Sequence, residues 1–246
     1  MTATDPVAPA PVASAPVAPV ATTPAAPARP APGPAPAAGR KPKLRGWLHL
    51  IWFEISLVVG TLLVTHAHGA ARITSLAVYA ASVSALFGAS ALYHRGNWCA
   101  AWHRRLHRLD QAMIFFLIAG TATPAFLLAV PGPIGRACLI ALWALTLAAV
   151  GIRMAWLRAP ERLGGALFLG LGWMAGLSLP WVWAHAGPAP GALMIAGGLL
   201  YTAGAVSYHR RWGNLSPGVF GFHEVFHVYV CAAATCQYIG IVLLAR

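Results

Sequence analysis

Apolar residues dominate the chain from about position 47 to the C-terminus, and turn-forming or charged residues interrupt them at regular intervals. These interruptions leave seven apolar runs, most of them close to the ~20 residues that an α-helix needs to cross a bilayer. The runs cover approximately 47–65, 72–94, 110–130, 134–156, 163–183, 190–208 and 219–244. The pattern therefore predicts an all-α integral membrane protein with seven transmembrane helices.

The N-terminal region has a different composition. Residues 1–39 are almost entirely Ala, Pro, Val, Thr and Gly, and proline recurs every two to five residues. Such a segment cannot form a helix and has little to bury, so we expect a disordered Ala/Pro-rich tail. It lacks the basic start and continuous apolar stretch of a signal peptide. We divide the chain into a tail, 1–45, that ends in a basic cluster, and one membrane domain, 46–246.

The overall composition narrows the function classes. Only 9% of the residues are charged, against about 25% in an ordinary soluble domain, and 59% are hydrophobic. Too few polar side chains exist to cover a soluble fold of this size. A soluble enzyme, a coiled coil and a nucleic-acid-binding domain are therefore not expected, despite a formal net charge of +12.

The positive charges alternate between the loops. With a cytoplasmic N-terminus, thirteen Lys and Arg residues fall at inner loops and three, Arg72, Arg136 and Arg246, fall outside. This asymmetry is what the positive-inside rule requires of seven spans. It predicts a multi-pass plasma-membrane protein with its N-terminus in the cytoplasm and its C-terminus outside. The inner basic loops are expected to contact anionic lipid head groups.

Polar side chains collect at the predicted cytoplasmic ends of three runs. Ser90 and His94 are four residues apart and share one helical face, and Asp110 opens the third run. His223 and His227 open the seventh run at a spacing that metal ligands use. Alone, each has a plainer interpretation, such as an interfacial histidine or an acid that stabilises a helix N-terminus. Together they provide three histidines and a carboxylate, sufficient for a Zn²⁺ site with an open position.

Other polar residues allow competing interpretations. His223-Glu224-Val-Phe-His227 also matches the H-E-x-x-H signature of metalloproteases, in which Glu224 would be the general base. His103 and His107 are four residues apart as well, but they accompany three arginines, so we interpret them as part of a basic interfacial loop. Glu54 either orients a ligand histidine from beyond the metal shell or is a neutral, hydrogen-bonded acid.

The ordered motifs resemble a known family. The matching segments are Glu54, Thr65–Ala70, Ser90-Ala-Leu-Tyr-His94, Asp110, Ile118–Pro124, Gly172-Trp173, Gly198–Gly204 and Phe220–His227. From about Trp47 to the C-terminus, the chain resembles the hemolysin III group of the progestin and adipoQ receptor (PAQR) family of seven-span membrane proteins. Gln111 and Ala122 depart from residues common in that family, but neither position is a ligand there.

The resemblance implies a helical barrel with an intramembrane zinc near the cytoplasmic face. The family's ligand histidines fall on His94, His223 and His227, and the Ser and Asp beside the zinc water fall on Ser90 and Asp110. Because the second position of the family's HxxxH motif varies, the protease interpretation of Glu224 loses weight.

Three functions are compatible with such a site. The first is a zinc-dependent hydrolase of a membrane lipid amide or ester, similar to ceramidases, with Asp110 as general base and Ser90 holding the water or a developing oxyanion. The second is a non-catalytic membrane-homeostasis or sensor protein with structural zinc. The third is a pore-forming cytolysin. The sequence specifies neither the lipid nor the oligomeric state.

Overall fold

A computed structural model describes residues 41–155, 161–216 and 218–246. The first 40 residues of the predicted tail lie outside these ranges, as do residues 156–160 and Pro217. The described ranges contain eight helices: α1 (Trp47–Thr65), α2 (Ala70–Arg95), α3 (Ala100–Leu128), α4 (Gly132–Ala155), α5 (Glu161–Gly176), α6 (Leu179–Ala186), α7 (Pro188–Arg210) and α8 (Phe222–Leu244).

The prediction of an all-α, seven-span protein is confirmed. Among the described residues, seven helical segments are long and apolar enough to cross a membrane, and α5 and α6 together form one of them, Leu163–Ala186. The break within that span lies where Pro180 occupies the first turn of α6. Proline has no N–H to donate to the carbonyl four residues earlier, which belongs to Gly176, the last residue of α5. Many outward-facing side chains are large and apolar, such as Val58 and Ile140, as a lipid-exposed surface requires.

The helix of the third span begins earlier than the predicted apolar run. We expected the span to open at Asp110, but α3 begins ten residues earlier, at Ala100. His103 and His107 therefore lie on a helix and not in a loop, and Asp110 lies in the third helical turn. The 29 residues of α3 extend about 43 Å, whereas the hydrocarbon core is ~30 Å thick. The first turns of α3 can therefore lie outside the hydrocarbon, where polar residues are tolerated in a helix.

One end of the bundle, which we call the basic end, is where α1, α3 and α8 begin and α2, α4 and α7 end. Three contacts bring the chain segments at this end together: Lys41 Nζ to the Gly96 carbonyl at 3.3 Å, the Lys43 N–H to the Gly218 carbonyl at 3.1 Å, and Arg108 Nη1 to the Met154 carbonyl at 3.4 Å. Residues 41–46 thus pack against the α7–α8 loop, so the last part of the predicted tail is structured. The basic end is where the polar side chains singled out from the sequence meet.

Close helix packing depends on small residues. A methyl group added to Gly120 of α3 would lie 2.0 Å from the Ser82 hydroxyl oxygen of α2 and 2.4 Å from its Cβ. The Ser82 hydroxyl donates to the Tyr79 carbonyl within its own helix at 2.7 Å, so the polar atom is satisfied while the two backbones approach each other. Small residues at helix interfaces serve this purpose in membranes, where apolar burial alone does not hold helices together.

We expect Gly120→Ala to lower the thermal midpoint of the detergent-solubilised protein, because overpacking typically costs about 1–3 kcal/mol. Gly151→Ala is the matched control, since an added methyl group there meets no atom within 4 Å. Ser82→Gly should restore much of the stability of the Gly120→Ala variant. A Gly120→Ala protein that melts with the wild type would contradict this account of the α2–α3 interface.

Candidate metal centre

Three histidines from two helices meet at the basic end. His94 is in the last turn of α2, and His223 and His227 are in the first two turns of α8. Because α2 ends where α8 begins, the two short segments face each other. One ring nitrogen of each histidine lies within 4.8 Å of the others. The Nε2 atoms of His94 and His223 are 3.1 Å apart.

The arrangement of the rings suits a shared metal ion. Imidazoles bound to one tetrahedral ion at about 2.0–2.1 Å place their nitrogens ~3.3 Å and their ring centres ~5 Å apart. The observed ring-centre distances are 4.7 Å for His94–His223, 5.2 Å for His94–His227 and 4.6 Å for His223–His227. His94 and His227 are buried, and His227 Nδ1 has no hydrogen-bond partner among the described residues. The three residues could therefore hold a metal ion.

Asp110 and Ser90 lie beside the histidines. Asp110 Oδ2 is 3.7 Å from His94 Nε2, the same nitrogen that approaches His223. The carboxylate is therefore at the edge of the space between the imidazoles. Ser90 is buried one turn before His94 on α2, and its hydroxyl makes a hydrogen bond to the Asp110 side chain. The structure thus brings together the five residues that the sequence singled out, while their roles stay predictions.

Glu224 is engaged elsewhere. Its carboxylate is fully buried; one oxygen pairs with Arg45 Nε, and the other accepts the Gly221 N–H at 2.8 Å. The Gly221 contact is the N3-to-N-cap half of a capping box at the start of α8, since glycine has no side chain to form the other half. Since both oxygens are used, Glu224 is poorly placed to act as the general base of an H-E-x-x-H protease.

A cavity of about 230 Å³ lies among α3, α5, α6, α7 and α8. Its walls are mainly apolar, with hydroxyl groups from Thr121, Tyr201 and Thr202. The Tyr201 hydroxyl is buried and has no hydrogen-bond partner in the described ranges. The candidate site residues do not line this cavity, but two of its lining residues, Leu117 and Tyr201, pack in one apolar cluster with side chains next to His227 on α8.

Comparison with known proteins places this chain in a family. The family model described as haemolysin-III related matches residues 38–238. The chain belongs to the haemolysin-III related family. It is 25% identical over 197 residues to the Hemolysin-3 of Bacillus cereus, covering 77% of this chain and 85% of the relative. It is also 25% identical over 170 residues to a Hemolysin-3 homolog of Bacillus subtilis (strain 168), covering 68% and 75% respectively. PAQR membership is consistent with these matches.

The structure does not bring Glu54 of this haemolysin-III related protein to the histidines. Glu54 is exposed on α1, and no hydrogen bond or ion pair joins it to another described residue. The inward face of α1 carries His49, Ser56 and Gly60. Glu54 is about 140° around the helix from His49, so it does not share the inward face, and its expected role in orienting a ligand stays a prediction.

His103 and His107 stay outside the three-histidine group. They flank Tyr93, with ring-centre distances of 5.1 and 5.4 Å, and both are exposed on the projecting part of α3. His107 Nε2 also contacts Gln111 Nε2 at 3.1 Å. Their interpretation as an interfacial segment is compatible with this position, although the segment is helical.

Sequence reasoning missed His49. This residue is buried in the first turn of α1, and its ring stacks on that of His227 with ring centres 3.7 Å apart and planes 12° from parallel. A signal was present: His49, Ser56 and Gly60 repeat at the spacing of one helical face within an otherwise large and apolar run. A polar and small stripe in such a run indicates the face that packs inward.

We expect Arg45→Ala to destabilise the protein, because it leaves a buried carboxylate without its charged partner. Breaking a buried pair costs about 3–5 kcal/mol, and the partial exposure of Arg45 (21%) places the expected loss toward the low end. Lys43→Ala, at an exposed side chain two residues away, is the control for a lost positive charge. Thermal melting in detergent measures both variants.

A second substitution isolates the cause. Adding Glu224→Gln to Arg45→Ala removes the stranded charge but keeps an acceptor for the Gly221 N–H, so part of the lost stability should return. Equal melting temperatures for the Arg45→Ala and Lys43→Ala proteins would show that the ion pair contributes nothing.

Proposed function

We propose that this haemolysin-III related protein is a zinc-dependent intramembrane hydrolase that acts on a lipid amide or ester. The observation that carries the proposal is the set of three clustered imidazoles with a carboxylate at their edge, 3.7 Å from His94 Nε2. A general base beside a three-histidine metal site is the arrangement that metal-dependent hydrolysis needs.

Zinc is the metal that this donor set suits. His94, His223 and His227 would hold the ion, and imidazole nitrogens are ligands that Zn²⁺ binds well. Three protein ligands leave one tetrahedral position open, which distinguishes catalytic from closed structural sites. When bound, such an ion supplies Lewis acidity and makes a water molecule nucleophilic near neutral pH.

Asp110 would transfer the proton, and Ser90 would orient the Asp110 carboxylate. The Asp110 carboxylate is placed to accept a proton from the attacking water and later to return it to the leaving amine or alcohol. A serine hydroxyl has one proton, and the hydrogen bond to Asp110 uses it. Ser90 would therefore orient the carboxylate, and would stabilise an oxyanion only after that bond rearranges.

The adjoining cavity supports a lipid substrate. Trp173 and Leu199 line it and are also 72% and 62% exposed, so the cavity reaches the outer surface between α5 and α7. That surface faces hydrocarbon in a membrane. An acyl chain could enter sideways from the bilayer, while its polar head approached the histidines past Leu117 and Tyr201.

We also propose the orientation and lipid contacts expected from the sequence. The basic end would face the cytoplasm from the plasma membrane, with the C-terminus outside. Support comes from the arginines that the described chain places at this end, among them Arg95, Arg104 and Arg108. These would contact anionic lipid head groups.

A structural role for zinc in a non-catalytic membrane-homeostasis or sensor protein is the second candidate, and one observation favours it. α8 packs mainly on α7 and α1, whereas α2 packs mainly on α3 and α1. An ion bound by His94 and by the two α8 histidines would connect two helices that otherwise share few contacts. Such an ion would stabilise the fold by mass action, with or without turnover.

Hydrolysis of a short-chain ceramide by purified protein tests the first candidate. We expect activity in the zinc-loaded protein, loss after chelation and recovery on adding Zn²⁺. Asp110→Asn should keep the metal and the melting temperature but lower kcat by about 10²–10⁴-fold, as loss of a general base does. His66→Ala, at an exposed residue that ends α1 far from the site, is the control.

The outcomes separate the candidates. A metal-stripped sample that hydrolyses as fast as the loaded one would reject the zinc-dependent hydrolase, and full activity in Asp110→Asn would reject Asp110 as its general base. Zinc without hydrolysis of amides or esters, together with a lower melting temperature after chelation, would support the structural role.

A further inference from the structure

A fourth imidazole lies in the metal centre without being one of the three candidate ligands. His49 enters from α1, is only 3% exposed and contacts two aromatic rings. It stacks on His227 at 3.7 Å, and the edge of Phe87 meets it at 5.0 Å with the planes 82° apart. Neither of its ring nitrogens has a hydrogen-bond partner among the described residues.

The stacked geometry argues against His49 as a ligand of the same ion. Ligand rings diverge from a tetrahedral ion, so their centres lie ~5 Å apart and their planes do not overlap. The three candidate ligands follow this rule, with interplanar angles of 60° or more. His49 and His227 instead lie nearly parallel in van der Waals contact.

His227 lacks the support that ligand histidines usually have. A metal-bound imidazole almost always donates its second N–H to a carboxylate, a carbonyl or water, which fixes the plane of the ring. His227 Nδ1 is buried and makes no hydrogen bond to another described residue. Among the ring contacts of His227, the one with His49 is the closest and the only stacked one in the described chain, so the flat face of His49 restricts rotation of this ring.

The start of α1 is held to both ligand-bearing helices. Arg45 pairs with Glu224 on α8, and Arg95 of α2 lies over the Trp47 ring at 4.1 Å. Gly46, at φ +79°, packs so closely on α2 that an added methyl group would lie 2.7 Å from His94 Cβ. These contacts place His49 firmly against the site.

We propose that His49 is a positioning residue, which sets the ring plane of His227 for metal binding by stacking and not through its nitrogens. The inference rests on the metal site of the proposed function. It assigns to α1 a part in the site, although none of the candidate ligands lies on that helix.

Zinc affinity of the purified full-length chain, measured by competition with a chromophoric chelator, tests the proposal. His49→Ala removes the flat face, so we expect the zinc dissociation constant to rise about 10-fold, the lower end for residues that support a ligand. His49→Phe keeps a flat face without nitrogens and should bind zinc like the wild type. His49→Leu is similar in bulk but not flat, and should resemble His49→Ala. His66→Ala is the control.

The visible absorption of the Co²⁺-loaded protein gives a second readout, because it reports ligand geometry and not stability. We expect a shifted band in His49→Ala and a wild-type band in His49→Phe. Unchanged affinity and spectrum in both His49→Ala and His49→Leu would overturn the proposal. Weak binding by His49→Phe would overturn it too, since a nitrogen would then be essential. A wild type that binds no zinc would instead reject the proposed function itself.

Discussion

The hydrocarbon core of a membrane offers no partner to a polar side chain, so every buried polar group must find one inside the protein. This constraint accounts for the basic end of the bundle. Arg45 and Gly221 satisfy Glu224, while Ser90 satisfies Asp110. At this end the histidines are the exception, because they lie in contact with one another and lack a full set of hydrogen bonds. A metal ion would supply what the protein side chains do not.

Much of this arrangement could be predicted from the sequence. Helices that cross a bilayer alternate in direction, so the end of the second span and the start of the seventh must lie on the same side. The hydropathy pattern alone therefore brings His94 to the level of His223 and His227. Helical periodicity then places Ser90 on the face of His94. These inferences needed only spans and spacing, and small errors in helix ends do not change them.

Other features depend on contacts that no local pattern encodes. The helix α3 begins before its apolar run and projects beyond the hydrocarbon. Hydropathy marks the apolar residues of a helix and does not show how far the helix continues through polar ones. The sequence indicates the depth of Glu54 in the membrane, but the direction of its side chain, away from the histidines, depends on how α1 packs. The pairing of Arg45 with Glu224 joins residues 179 positions apart. His49 was overlooked although it shares a helical face with Ser56 and Gly60, because that stripe indicates an inward face and does not show which ring His49 meets there.

The account depends most on metal binding by the three histidines. The most direct measurement is the zinc content of the purified chain, for the wild type, His94→Ala, His223→Ala and His227→Ala, with His66→Ala as control. We predict about one zinc per chain in the wild type and the control, and its loss in each of the three variants. A folded wild type without zinc, or zinc retained in all three variants, would contradict the metal centre and the function built on it.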